Sequence, residues 1–316
     1  REKGYYNICI AAENLLPILQ TDGWYGLLIP KHYLDVNSFE KLEAATDYAI
    51  MLLKVYLDRF FKYEKARWEA SMLEYGVLTA EDNNFVDEYS ITYTQKHEQD
   101  TTGDKLGDFI QEISAELETG KGLDMYKEEA FGGRMAAFDF EKHLYAPLIG
   151  LEQNSLDIQV SPVALNSGEM MFVNHLKKYV DTHSDDLKGK SLYLLRNKSR
   201  LGMGFFEAGN FYPDYILWID TEDKQYISFI DPKGLWYVQP DDLKIEFYKT
   251  IKELEARLAP TVGEKEVVLN SFIMSSTRAS VLRDRWKMER PQREERNVYT
   301  LDNPDCVALM MEKIMS

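Results

Sequence analysis

Residues 211–233 constrain this chain more than any other stretch. Tyr215-Ile216-Leu217-Trp218-Ile219 and Tyr226-Ile227-Ser228-Phe229-Ile230 are aromatic and β-branched runs, separated by the polar segment Asp220-Thr221-Glu222-Asp223-Lys224. That pattern predicts a β-hairpin with a longer, charged loop. The polar residues inside the runs are the anomaly. Strand residues two apart share a face, so Asp231 and Lys233 are expected to project together, as are Asp214, Ile216 and Trp218 on the partner strand. A carboxylate from each strand and an ammonium then converge at one end of the hairpin.

Pro213-Asp214 followed on the next strand by Asp231-Pro232-Lys233 resembles the PD-(D/E)XK nuclease superfamily. The chemistry of those residues fits. Phosphodiester hydrolysis uses hard cations to neutralise charge on the phosphate and to activate a water, and Mg²⁺ takes oxygen ligands while keeping several waters. Asp214 and Asp231 are the expected carboxylate ligands of Mg²⁺ or Mn²⁺, and the Pro232 backbone carbonyl adds another, since proline keeps its C=O while lacking N–H. Lys233 is expected to orient or deprotonate the attacking water, or to stabilise the developing charge. The competing reading makes Asp231-Pro232-Lys233-Gly234 a strand ending in a turn, because Asp, Pro and Gly are turn residues.

A length of 316 residues suits one or two domains. No apolar run approaches the ~18 residues of a membrane span, and the N-terminus lacks a signal-peptide pattern. Arg1 is not an initiator, which suggests a fragment. Cys9 and Cys306 stand far apart, which argues against a disulfide framework and suggests a reducing cytoplasm. His32, His97, His143, His175 and His183 lack zinc-ligand spacing. A net charge of −16 is unusual for a protein acting on DNA, whose phosphates are met by Lys and Arg. Its distribution is uneven: residues 1–150 hold 27 acids and 15 bases, net −12, whereas the rest holds 26 and 22, net −4. A solvated acidic surface explains the front half better than a basic partner does.

In that half, residues 24–29 read as a short strand stopped by Pro30, and the spacing of Leu42, Ala45, Ala49, Leu52, Leu53 and Tyr56 predicts a long helix over 38–65 continuing towards Trp68. Residues 89–94 suggest a strand, 105–117 an amphipathic helix, and 135–148 a packing segment near a boundary. No catalytic constellation occurs there. No G-x-x-x-x-G-K-[ST] loop occurs anywhere, so ATP hydrolysis by that route is excluded.

Behind it, a helix is predicted from about 166 to 182, a strand over 191–195, the hairpin, a helix over 241–258 striped by Leu243, Phe247, Ile251, Leu254 and Leu258, and a strand over 267–274. Helix, three strands, helix, strand is the common core of the PD-(D/E)XK fold. Glu169 shares a helical face with Phe172, Val173, Leu176 and Val180, from which a carboxylate reaches towards the metal; alternatively, Asn166 and Glu169 form a capping box. In the basic, glycine-spaced loop 198–210, Lys198 and Arg200 are candidates for holding a phosphate, or else Arg200 pairs with Glu207. Arg278, Arg283, Arg285, Arg290, Arg293 and Arg296 are interspersed with acids, which favours a solvated helix face over a DNA groove.

Longer strings extend the resemblance. Ser161 to Glu169, Lys198 to Trp218 and Phe229 to Gly234 are similar to the nuclease region of restriction-type DEAD/DEAH helicases, close to the C-terminal part of type III restriction enzyme Res subunits; Tyr56-Leu57-Asp58-Arg59-Phe60 and His143 to Leu148 are similar, less specifically, to the helical region joining motor to nuclease. The resemblance implies an α/β restriction-endonuclease-like core with a mixed sheet at 156–316, behind a mostly helical connector at 1–155. It implies a magnesium-dependent endonuclease cutting double-stranded DNA in antiviral restriction, in the cytoplasm, together with an ATP-dependent helicase or translocase motor in the same full-length protein or complex. The alternative is a non-catalytic DNA-binding or interaction module that keeps the nuclease scaffold.

Overall fold

The computed structural model describes residues 5–7, 28–30, 36–79, 81–82, 84–85, 88–119, 126–127, 135–138, 148–151, 157–198, 202–205, 211–258 and 260–316. Expectations for 24–27, Arg200, Glu207 and His143 to Pro147 lie outside the described residues. The chain divides after Lys65 into two compact units. In the first, β1 (Tyr5–Asn7) pairs antiparallel with β2 (Leu28–Pro30). The expected long helix is α1 (Phe39–Met72), on which Leu42, Leu53, Leu57 and Phe61 are exposed.

The second unit begins with a small subassembly. β3 (Ser90–Tyr93) precedes α2 (Thr102–Glu118), β4 (Tyr126–Lys127), β5 (Met135–Phe138), β6 (Leu148–Leu151) and β7 (Ile158–Ser161). β3 pairs with β7, and β4, β5 and β6 form an antiparallel sheet. Leu106, Phe109 and Ile113 recur at helical spacing on α2 and pack with Ala137, Ile149 and Ile158.

A larger mixed sheet follows, flanked by helices on both faces. Its elements are α3 (Ser167–Thr182), β8 (Ser191–Arg196), β9 (Tyr215–Asp220), β10 (Lys224–Lys233), α4 (Leu243–Arg257), β11 (Thr261–Val262), β12 (Lys265–Ser275), α5 (Ala279–Trp286), α6 (Arg290–Glu295), β13 (Val298–Thr300) and α7 (Cys306–Met315). The order is β11-β12-β10-β9-β8, with β13 also beside β12. β8, β9 and β10 are antiparallel neighbours, while β10 and β12 are parallel and joined through α4. The predicted run of helix, three strands, helix and strand is therefore present. The hairpin loop is shorter than expected, because Asp220 and Lys224 belong to the strands.

Period-2 alternation separates two cores. Tyr215, Leu217 and Ile219 of β9, with Ile230, Phe272 and Met274, meet Phe172, Val173 and Leu176 of α3 and Met310, Met311 and Ile314 of α7. On the other face Ile216, Phe229, Leu269 and Ile273 meet Ile245, Phe247, Ile251 and Leu254 of α4. Each such buried side chain contributes roughly 1.5–3 kcal/mol. Leu243, expected on the α4 stripe, stands exposed in the first turn before the helix reaches the sheet, and Ile245 takes its place. α7 and β13, absent from the sequence reading, complete the α3 face and the sheet edge. Among the described residues no helix is long and apolar enough to cross a membrane.

Candidate functional site

Tyr215 and Ile230 are the last ladder pair between β9 and β10. One step beyond it, antiparallel register brings Asp214 to Asp231. Both carboxylates follow the alternation towards the face covered by α4, as the hairpin pattern requires.

Asn197, just after β8, holds the approach to Asp214. Its N–H donates to the Asp214 carbonyl at 2.8 Å. Its buried side-chain amide donates to the carbonyls of Pro213 and Met203, at 2.8 and 2.7 Å, and accepts the Met203 N–H at 2.8 Å. Phe205 and Phe211 exchange backbone hydrogen bonds at 2.7 and 2.9 Å, and both rings lie against Phe247 of α4. Gly204 lets the Tyr212 ring lie where a Cβ would overlap it.

A polar cleft of about 550 Å³ opens at this point, lined by Tyr212, Asp214, Asp231, Pro232, Lys233, Gly234, Lys244, Ser276 and the start of α3 at Asn166 to Gly168. Asp231 is 4% exposed, so its carboxylate is nearly out of solvent. Lys233 Nζ donates to Asp231 Oδ2 at 3.4 Å from the cleft side. The Lys233 carbonyl accepts from Ser276 N–H at 3.0 Å and so faces β12. Hydrogen-bonding direction alternates along a strand, which turns the Pro232 carbonyl to the opposite side, where β9 has ended. The N–H that proline lacks is not missed there.

Burial pushes the Asp214 carboxyl up to about 8, reinforced by the charge of Asp231, by a hydrogen bond to it and by the charge of Glu169, with Lys233 opposing. Two carboxylates sharing one partly dry site resist ionising together. Such a pair holds a proton, or a cation in its place. Lys244 is the second cation of the cleft; burial lowers its pKa, and Lys233 lowers it further by charge and hydrogen bonding.

The remaining expected residues are placed elsewhere. Glu169 makes the capping box: its Oε2 accepts from Asn166 N–H at 2.8 Å, while Asn166 Oδ1 accepts from the N–H groups of Gly168 and Glu169 at 2.9 and 3.1 Å. Its carboxylate also pairs with Arg196 at 3.2 Å and does not line the cleft, though its charge is felt at Asp214. Lys198 Nζ donates to the Phe85 carbonyl at 3.0 Å, and its N–H donates to Asn84 Oδ1 at 2.7 Å, which ties the loop to the preceding segment. In the arginine run, Arg293 is buried and donates to the Met288 carbonyl, Arg290 pairs with Glu294 at 2.6 Å, and Arg296 pairs with Glu246 at 2.7 Å. Arg290, Arg293 and Arg296 thus serve packing and solvated pairing rather than a phosphate groove.

Sequence reasoning missed Lys244 and Asn197. A signal for Lys244 existed. In a parallel crossover the helix after β10 starts at the carboxyl end of that strand, the end that carries Asp231 and Lys233. Asn197 left no such signal.

Among the described residues no group of three or more His, Cys, Asp or Glu side chains gathers as a metal site. Among the donors of the cleft lining are the two carboxylates and the Pro232 backbone carbonyl. They are all oxygen, the set suited to a cation that keeps waters and takes one or two protein carboxylates. No protein-family model matches the chain, and no curated protein or solved structure matches it.

Proposed function

We propose that this cleft hydrolyses phosphodiester bonds of DNA with Mg²⁺ or Mn²⁺, as an endonuclease of the PD-(D/E)XK type on a restriction-endonuclease-like core. The observation that carries the proposal is the convergence of the half-buried Asp214 and the buried Asp231 at the ends of adjacent strands, with Lys233 and Lys244 in the same cleft. The hairpin spacing Pro213-Asp214 and Asp231-Pro232-Lys233 points the same way.

Asp214, Asp231 and the Pro232 carbonyl are the groups that would hold the cation. When bound, it supplies Lewis acidity to the phosphate and lowers the pKa of a water. Lys233, one third exposed at the rim and leaning on Asp231, presents its ammonium at the cleft, where it would orient the attacking water and meet charge growing on the phosphate. Lys244 sits in the cleft with its proton already disfavoured. It is suited to hand that proton to the departing alkoxide oxygen. Glu169 would need to give up its cap and Arg196 to ligate the cation; held as it is, it acts on Asp214 through charge.

The longer resemblance supports a cytoplasmic role in restriction of foreign double-stranded DNA, with cleavage coupled to an ATP-dependent translocase in the same protein or complex. The near balance of charge behind residue 150 is compatible with a nucleic-acid substrate. A non-catalytic scaffold remains the competing reading, favoured by the engagement of Glu169 away from the cleft.

Incubation of the chain with supercoiled plasmid separates the two. Cleavage in Mg²⁺ or Mn²⁺ is expected, abolished by chelation and by Asp231→Asn. A parent that leaves plasmid intact with both ions while still folded refutes the catalytic reading.

A further inference from the structure

The backbone leaving the cleft enters a β-turn at residues 235–238, closed by Val238 N–H to the Leu235 carbonyl at 3.2 Å. Its two central residues are Trp236 and Tyr237, 49% and 87% exposed. Turn centres favour Gly, Pro, Asn and Asp. Large exposed aromatics there add little to folding, and two of them at successive positions are exposed apolar surface of the kind that marks a binding site.

The turn is rigidly mounted. Leu235 is fully buried, and its N–H donates to Thr277 Oγ1 at 2.9 Å. Trp286 Nε1–H donates to the Val238 carbonyl at 2.9 Å, and Arg296 donates to the Pro240 carbonyl at 2.9 Å. The Arg285 guanidinium lies 5.3 Å from the centroid of the Trp236 ring, bracing the indole and adding positive charge. Half of the indole and most of the phenol stay open. Trp236 follows Lys233 by three residues, a reach of at most about 11 Å.

We propose that Trp236 and Tyr237 form a stacking platform for an unpaired base of a nucleic-acid strand whose backbone lies at the Asp214–Asp231 cleft. This rests on the phosphodiesterase reading of that cleft. Aromatic faces stack on any base, but only on a base lifted out of a duplex, where both faces are otherwise covered. Arg285 supplies positive charge beside the aromatics, in a chain whose net charge is −16. Trp, Tyr and Arg also anchor protein interfaces. The adjoining cleft, with two lysines facing a carboxylate pair, favours a phosphate-bearing partner. The platform would thus select locally melted or single-stranded DNA at the point of cutting.

Fluorescence anisotropy of the full chain, with Ca²⁺ replacing Mg²⁺, tests this on three probes: a twelve-nucleotide oligo-dT, an abasic strand of the same length and a blunt duplex. Trp236→Ala combined with Tyr237→Ala is expected to weaken oligo-dT binding about tenfold or more, with less than a twofold effect on the abasic strand. Trp236→Phe with Tyr237 intact should keep most of the affinity. A double variant that binds oligo-dT like the parent, or loses equally on the abasic strand, overturns the platform alone, as does a parent that binds only duplex. A parent that binds none of the three overturns the platform and the nucleic-acid reading together. Unchanged unfolding midpoints in the variants exclude a folding artefact.

Discussion

Asp214 and Asp231 meet one residue beyond the last ladder pair of a hairpin, and the fold pushes the Asp214 pKa up to about 8. An unfolded Asp loses its proton near pH ~4. Between about pH 4 and 8 the folded chain therefore binds the extra proton, and folding stability falls as pH rises through that window, levelling off above it.

The metal-free protein is thus expected to be less stable at pH 8.5 than at pH 5 by a contribution on the order of a few kcal/mol from this site. Asp214→Asn should flatten the dependence and be the more stable form at pH 8.5. Denaturant unfolding in EDTA at both values reads the difference; parallel pH curves for parent and variant would refute the shared-proton account.

On the proposed function, a cation held by Asp214 and Asp231 would have to expel that proton. Mn²⁺ affinity is expected to rise up to about tenfold per pH unit from 6 to 8 and then plateau, with close to one proton released per ion near pH 6.5. Calorimetry in buffers of differing ionisation enthalpy counts the protons. A pH-independent affinity with no release sinks the prediction.

Lys233 is assigned to water and phosphate rather than to the metal. Lys233→Ala should bind Mg²⁺ or Mn²⁺ at least as well as the parent, because a neighbouring positive charge is gone, and should cleave DNA on the order of a hundredfold or more slower. Cleavage at the parental rate by the folded variant contradicts the role. Lys244→Gln is expected to slow cleavage while leaving cation affinity within about threefold, since no ligand is removed.

Asn197 makes three side-chain hydrogen bonds across the approach to Asp214. Replacing it with Ala orphans two carbonyls and one N–H, at a cost of about 2–4 kcal/mol. A loss near zero in chemical denaturation would mean that water fills the gap and that the strand end is positioned by the ladder alone.

Much of this site is legible in the sequence because strand period is local. A repeat of two puts Asp231 and Lys233 on one face whatever the strand packs against, and two β-branched runs around a charged segment can hardly avoid forming a hairpin. The stripe Phe247, Ile251 and Leu254 likewise determined a helix, and the length between β10 and β12 made it a crossover. What pairs with what is not local. Glu169 was equally suited to a metal and to a cap, and the choice fell to Arg196, delivered by the end of β8. Lys198 was a plausible phosphate contact until the Phe85 carbonyl took its ammonium. Lys244 entered the cleft because α4 folds back over the sheet with its first turn at the carboxyl end of β10, and Asn197 reached Pro213 because β8 ends beside β9. Backbone alternation and helical spacing are properties of a few neighbouring residues and survive in one dimension. A buried polar group takes whichever partner the assembled sheet and helices bring within about 3 Å, and that is decided only in three.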